Sequence, residues 1–461
     1  MPKQKPKKSC RNPGRLIVMD STIVQILRDF RIEDYLPIIP RDLDLGEPLV
    51  PRRGNLVKVV VGMRRSGKSF RLLQEMVRLH EEGVPWSRIC YFNFEDDRLG
   101  PVTPETGDSV MQSFGDLHPD SADEGIYCFF DEIQEMDGWS AWMRRMVDTQ
   151  KATFYLTGSS SKLLSDEIGT EFRGRAVEFE LLPFSFREYL RAIGLDSELL
   201  ETTNGRSRAR NAFRAYLECG GFPDAIGLSM PLRIALLQGY ANRVAAKDVV
   251  ERHGLNGLEA ASLVGQRLLE LNGCQLSLRK MEGHLRAQGL PAARASIASI
   301  VDYFVRAYLV FLVSERRVGK HPESRSRKVY AIDPGLALAN GKAGSNNEGQ
   351  RLEDAVYLEL RRRTVGLRED AVSSYRTSRH RYEVDFLTGD SVLGEAPALY
   401  QVCASLESPE TRERELRALS EAAEETGIGD LFLILGSGNS EEVDFDGRRI
   451  HIVSAIEWFL G

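Results

Sequence analysis

The octapeptide GMRRSGKS (Gly62–Ser69) has the spacing GxxxxGK[ST]. It directly follows the apolar run KVVVG (58–62), which reads as a buried strand, and opens SFRLLQEMVRLHEEG, which reads as a helix ending at Gly83. A glycine-rich turn between strand and helix aims successive backbone N–H groups and a helix N-terminus at phosphate oxygens. Lys68 then reaches the β and γ oxygens, and Ser69 is placed to ligate Mg²⁺. The candidate nucleotide-binding residues are Gly62, Arg64, Arg65, Ser66, Gly67, Lys68, Ser69 and Phe70.

A second chemical signal lies about 60 residues further on. CFFDEIQ (Cys128–Gln134) is an apolar strand ending in Asp-Glu, the Walker B pattern. Asp131 is expected to hold Mg²⁺, directly or through water, and Glu132 to orient and polarise an attacking water. Two other strands end in polar residues: YFNFEDD carries Asn93 and Glu95, and FYLTGSS carries Thr157 and Ser159. Ligands of a parallel sheet sit at its carboxyl edge, so these side chains are expected to face a γ-phosphate. Each alone is also an ordinary turn former. In GTEFRGRAVEFE, Arg173 and Arg175 are candidate arginines for a γ-phosphate; the plain alternative is a surface arginine.

These motifs need a scaffold, and the rest of the chain supplies one. At roughly 150 residues per domain, 461 residues make two to four domains. Hydrophobic residues at 42% and charged residues at 28% exclude a disordered or fibrous chain. No apolar run approaches the ~18 residues of a membrane span. The start, MPKQKPKKSC, is basic with no apolar core behind it, so a cytoplasmic protein is expected. The cysteines, at 10, 90, 128, 219, 274 and 403, contain no CxxC pair, which argues for reduced thiols rather than a metal cluster or disulfide framework. A net charge of −6 argues against a globally basic nucleic-acid binder but leaves room for a local basic face.

Strands near 58–62, 88–96, 126–134 and 152–160 alternate with helices, which predicts an α/β domain with a mostly parallel sheet, ending near residue 190. Up to about 315 the pattern is helical, with no clear strand before YLVFLV. There LSLRKMEGHLRAQGLPAARASIASIVDYFVRAYLVFLV reads helix, turn, helix, strand. Its second helix, Ala292–Leu309, buries Ile297, Ile300, Val301, Phe304 and Tyr308 at helical spacing. The Gly/Asn-rich 341–350 reads as a linker. Beyond it come a helix over 351–363 and strands near 383–387, 399–403 and 431–435.

GMRRSGKS, YFNFEDDRL, FFDEIQEMDGW, LTGSSSKLLS, RGRAVEFELLPFSFREYL and CGGFPDAI follow one another in the order and spacing of a known family. AAKDVVERHG, VYAIDPGL, RLEDAVYLELRRR, YEVDF and QVCASLESPETRERELRAL continue the match over about 35–461. The chain resembles bacterial and archaeal AAA+ ATPases with a C-terminal domain of uncharacterised function. The resemblance implies a basic tail and N-terminal helix (1–35), an ATPase core (36–190), a helical, winged-helix-like region (191–340) and a domain resembling the restriction-endonuclease fold (341–461). It implies ATP and Mg²⁺ as cofactors, and a homo-oligomer in which Arg173 or Arg175 reaches a neighbour's γ-phosphate. A winged helix lays the start of its second helix in the major groove, which sets Arg294 and SERRVGK against DNA phosphates; the same fold also makes purely protein contacts. In the nuclease-like fold, Glu353, Asp385 and Gln401 fit the acidic and amide positions of a Mg²⁺ site, but Cys403 stands where a lysine belongs. The expectation is a Mg²⁺-dependent ATPase acting on DNA, with nuclease activity lost. The alternatives are an ATP-gated nuclease and a nucleotide-switched scaffold.

Overall fold

A computed structural model describes residues 21–121, 123–159, 174–195, 202–255, 257–290, 293–316, 323–342, 348–364, 371–389 and 393–461. Among them the strands form two sheets. The first is wholly parallel, in the order β2-β3-β4-β1-β5, with β1 Val57–Gly62, β2 Ile89–Asn93, β3 Ile126–Asp131, β4 Ala152–Ser159 and β5 Ala176–Glu180. Every residue of β1 is buried, which is why its sequence, Lys58 apart, is an apolar run rather than an alternation. Register carries the chemistry: Gly62 pairs with Ser159, and Asn93 with Asp131, so the polar strand ends share one edge. Ala176 pairs with Val57, which puts Arg175 at the opposite edge.

The middle of the chain is helical, as its patterning predicts. Helix Met230–Arg243 runs without a break into a π-helix, Val244–Glu251. Helices Leu258–Glu270, Leu278–Ala287 and Arg294–Arg306 follow. The last is shorter than the expected Ala292–Leu309; Ile297, Val301, Phe304 and Tyr308 are buried, and Ile300 is half-buried.

The second sheet runs β13-β14-β12-β11-β10-β9-β7-β8-β6. Its strands are β6 Cys274–Gln275, β7 Val310–Arg316, β8 Glu323–Ala331, β9 Val372–Arg376, β10 Glu383–Thr388, β11 Ala398–Cys403, β12 Asp430–Leu435, β13 Glu441–Phe445 and β14 Arg448–Ser454. β7 pairs in parallel with β9 through Glu315–Ser374 and Arg316–Tyr375. One sheet therefore crosses the boundary expected at 340/341. Phe386 and Ile434 pack into the core shared with helix Glu348–Arg363, whereas Leu399, Leu433 and Leu435 pack with helix Pro409–Thr426. The patterning did not predict β6, β8, β9, β13 or β14, nor β5 in the first sheet. β8 reads as a basic stretch, and β13 is a charged edge strand.

The CGGFP and IDPGL motifs interlock. Asp333 accepts hydrogen bonds from the amides of Gly221 (2.6 Å) and Leu336 (2.8 Å). A Cβ on Gly335 would stand 2.2 Å from the Cys219 carbonyl oxygen, and one on Gly221 2.2 Å from that of Phe184. These glycines serve backbone-to-backbone contact. Gly335→Ala is expected to cost about 1–3 kcal/mol of stability through overpacking. Thermal unfolding checks this, and an unchanged midpoint would contradict so close a contact. Among the described residues no helix is long and apolar enough to cross a membrane.

Candidate active site at the carboxyl edge of the parallel sheet

The loop after β1 turns on residues with left-handed backbone, Arg65 (φ 71°) and Gly67 (φ 97°). Gly62 is also required: a Cβ there would lie 2.3 Å from the Leu181 carbonyl oxygen. Lys68 is nearly buried at the start of helix Lys68–Glu81. Its Nζ donates to the carbonyls of Gly62 and Met63, both at 3.2 Å, and lies 3.9 Å from Glu132 Oε1. Ser66 is fully buried and its hydroxyl has no hydrogen-bond partner among the described residues, as in a cradle shaped for an additional polar group.

Asp131 ends β3, 2% exposed. Tyr91 donates its hydroxyl to Asp131 Oδ2 at 3.0 Å, Thr157 donates to Oδ1, and the Ser69 hydroxyl bonds the same carboxylate. Burial, then the Glu132 charge, push the Asp131 carboxyl up, while those three hydroxyls pull it down. Ser69 and Asp131 are thus adjacent oxygen donors of the kind Mg²⁺ takes. Glu132 sits at φ 49°, its amide donating to Thr157 Oγ1 at 3.0 Å and its carboxylate accepting from Gln134.

Thr157 corrects one expectation. It is fully buried, and its hydroxyl is spent on Asp131 and on the Glu132 amide, so it orients the acidic pair instead of facing a phosphate. Asn93 lines the cleft and accepts from the Glu95 amide at 2.9 Å. Ser159 ends β4 opposite Gly62; its side chain, and Arg173, lie outside the described residues. Arg175 pairs with Asp148 at 2.5 Å on the far edge of the sheet, remote from its own chain's loop.

The cleft has a volume of about 870 Å³. The phosphate loop, Phe70, Glu95, Asp131 and Glu132 line one side; Asp224, Tyr240, Arg243 and Val244 line the other. Arg65 lies 3.5 Å from Asp224, which accepts from the Tyr240 hydroxyl at 2.8 Å. Arg64 contacts Glu95 (3.0 Å), Glu135 (3.5 Å) and Asp248 (3.7 Å), three acids from three elements.

Sequence reasoning missed two members of this site. Asp248, on the π-helix, is buried between Arg64 and Arg252; burial raises its pKa and the two arginines oppose that. A short acid-bearing motif, AAKDVVERHG, is the only local trace of it. Arg41 braces the loop from behind: it donates to the carbonyls of Ser66 (2.7 Å) and Leu182 (2.6 Å) and to Glu188 (2.9 Å). Burial pushes the Glu188 carboxyl up, but Arg41 outweighs it and holds it below the ordinary range.

In the C-terminal domain, Glu353, Asp385 and Gln401 do come together. Gln401 Oε1 accepts from the Asp385 amide at 3.3 Å, and its Nε2 donates to Glu415 at 2.8 Å. Cys403 donates to the Ser405 carbonyl at 3.1 Å. The lysine in this cluster is Lys328, from β8: its Nζ lies 2.6 Å from Glu383, 3.0 Å from Glu353 and 3.3 Å from Asp385. Arg294 is paired with Glu282 at 2.5 Å.

Two family models match: an AAA domain over residues 54–190 and a domain of unknown function over 210–347. An uncharacterised protein of Methanocaldococcus jannaschii is 30% identical over 442 residues, covering 94% of each chain. An uncharacterised Haemophilus influenzae protein is 28% identical over 428 residues, 92% of this chain and 99% of that one. Among solved structures, a Walker-type ATPase of Pyrococcus abyssi matches with 18% identity and TM-score 0.39, over 62% of this chain and 90% of that one. The ORC1 protein of Aeropyrum pernix, solved in complex with DNA, matches with 16% identity and TM-score 0.28, over 64% and 86%.

Proposed function

The chain belongs to one family with the uncharacterised Methanocaldococcus jannaschii protein and carries an AAA domain over residues 54–190, and from that premise we propose that it is a Mg²⁺-dependent, homo-oligomeric cytoplasmic ATPase that works on DNA. The observation that carries the catalytic part is the convergence of Lys68, Ser69, Asp131 and Glu132 on one edge of the sheet, facing one cleft. In this reading Lys68 and the loop amides hold the phosphates, and Arg64, Arg65 and Phe70 line their approach. Ser69 and Asp131 would hold Mg²⁺, which would supply positive charge to offset that of the phosphates. Glu132 draws the proton from the attacking water, with Thr157 fixing its backbone. Arg175, on the far edge, cannot serve its own cleft, which supports delivery to a neighbouring subunit, with Arg173 as the other candidate. Asn93 and Ser159 are proposed as γ-phosphate contacts.

We assign 1–35 as a tail and helix, 36–190 as the ATPase core, 191–340 as a winged-helix-like region and 341–461 as a nuclease-like domain, the last two sharing one sheet through the β7–β9 pairing. The DNA part is supported by helices Leu258–Glu270, Leu278–Ala287 and Arg294–Arg306 followed by the antiparallel β7–β8 pair with β6 beside it. A second reading, a nucleotide-switched scaffold, is favoured by Arg294, which is already engaged by Glu282. The two separate in one experiment: ATPase rate and binding titrated against single-stranded, duplex and branched DNA at several salt concentrations. Action on DNA predicts stimulated hydrolysis and a binding constant that falls steeply with salt, because phosphate contacts release counterions. A rate and affinity indifferent to every DNA form would leave the scaffold reading.

A further inference from the structure

The C-terminal resemblance implies a divalent cation between Glu353 and Asp385, and the residues there do not fit one. We infer that the ammonium of Lys328 takes that place, so that Glu353, Glu383 and Asp385 form an internal ionic lock joining β8 to the C-terminal domain, and not a metal centre. The inference deepens the reading of the nuclease-like domain and stands independently of the ATPase assignment.

The geometry accounts for every donor. An ammonium has three N–H groups. Lys328 Nζ has three carboxylate partners within 3.3 Å: Glu383 Oε1, Glu353 Oε1 and Asp385 Oδ1. Glu383 and Asp385 flank Val384 on β10, and both carboxylates reach Lys328 Nζ. Glu353 comes from helix Glu348–Arg363 and closes the ring. Lys328 is 7% exposed, so this is a desolvated cation held by its partners.

Other oxygens of the cluster are engaged as well, Glu353 Oε2 excepted. Asp385 Oδ2 accepts from the Val402 amide at 2.9 Å, and Glu353 Oε1 also accepts from the Tyr330 hydroxyl at 2.6 Å. The outer oxygen of Glu383 accepts from Arg376 at 2.5 Å, and Arg376 binds Glu315 at 2.9 Å. Mg²⁺ needs oxygens at about 2.0–2.1 Å in octahedral array. An ion bridging Glu353 Oε1 and Asp385 Oδ1 would stand beside the ammonium that already bonds both, with little solvent around the buried Lys328 and Asp385 to screen the repulsion. Among the described residues, no group of three His, Cys, Asp or Glu is arranged to hold a metal ion. Cys403 at the expected lysine position then has a simple reading: where the cation is a side chain, there is no metal-bound water for a lysine to assist.

The test is Mn²⁺ binding by the full chain without nucleotide, followed by the electron paramagnetic resonance signal of free Mn²⁺. Wild type and Asp385→Asn should bind the same number of ions at about 1 mM, because no ion depends on Asp385. Lys328→Met removes the internal cation and leaves the acids facing one another. It should gain one Mn²⁺ per chain, at least about 100-fold tighter than wild type, given the size of a unit-charge repulsion at this range. That ion should vanish in Lys328→Met/Asp385→Asn. If Lys328→Met does not fold, Lys328→Gln replaces it, since an amide still donates to Glu353. If neither folds, the comparison of wild type with Asp385→Asn, or with Glu353→Gln, decides alone. A wild-type ion lost in either acid variant overturns the inference, as does a folded Lys328 variant that gains none.

Discussion

Replacing Glu132 with Gln is expected to leave nucleotide binding intact and to lower ATP hydrolysis by about 10²–10⁴-fold, the usual contribution of a positioned general base. The substitution keeps size, shape and one hydrogen-bonding oxygen. It removes only the charge that can draw a proton from water. The Glu132 backbone is held in the left-handed region by its amide bond to Thr157, so the carboxylate is aimed before any substrate arrives. Lys68 Nζ lies 3.9 Å from that carboxylate, and in the proposed reading it holds the phosphates rather than activating water. Lys68→Ala should therefore show the complementary defect, loss of binding itself. Equilibrium binding of a fluorescent ATP analogue and single-turnover hydrolysis separate the two. A wild-type rate in Glu132→Gln would move water activation to another residue.

The second large effect is structural. Glu180→Ala should destabilise the chain by about 3–5 kcal/mol, the cost of leaving a buried charge without its partner. Glu180 ends β5 of the parallel sheet, and Arg361 lies near the end of helix Glu348–Arg363. They form two bonds, Nε to Oε2 at 2.6 Å and Nη2 to Oε1 at 2.7 Å. The side chains are 8% and 15% exposed, and the guanidinium lies 4.4 Å from the centre of the Phe311 ring. Arg362 and Arg363 continue the seam, donating to the carbonyls of Pro183 (2.8 Å) and Trp458 (2.7 Å). Urea unfolding of Glu180→Ala, Arg361→Met and the double variant measures the coupling. The double variant should be markedly less damaged than the sum of the singles, because it strands no charge. Losses below about 1 kcal/mol would class the pair with exposed salt bridges and remove this seam as a means of joining the ATPase core to the C-terminal domain.

The phosphate-loop motif and the Asp131–Glu132 strand end were legible as neighbours because their signals are local. A phosphate cradle is a run of consecutive amides, and a strand that ends in acids carries its own signal, so spacing along the chain is spacing in space. The parallel sheet was legible for a related reason: strands buried on both faces are apolar along most of their length, as β1 is apart from Lys58. The clustering of Glu353, Asp385 and Gln401 came from resemblance, and the structure supplied the partner that resemblance had located elsewhere. What only tertiary structure decided is how charges far apart in the chain pair. Arg41 meets Glu188 across 147 positions, Arg361 meets Glu180 across 181, and Lys328 meets Asp385 across 57. In sequence each of these is one charged residue among many, indistinguishable from a solvated one, because an ion pair leaves no periodicity. The strands β8 and β13 stayed hidden likewise: their polar side chains are satisfied by partners that only the assembled sheet brings within reach. Thr157 shows the same division at one residue, since the sequence put it at the tip of a strand and packing turned its hydroxyl inward to Asp131.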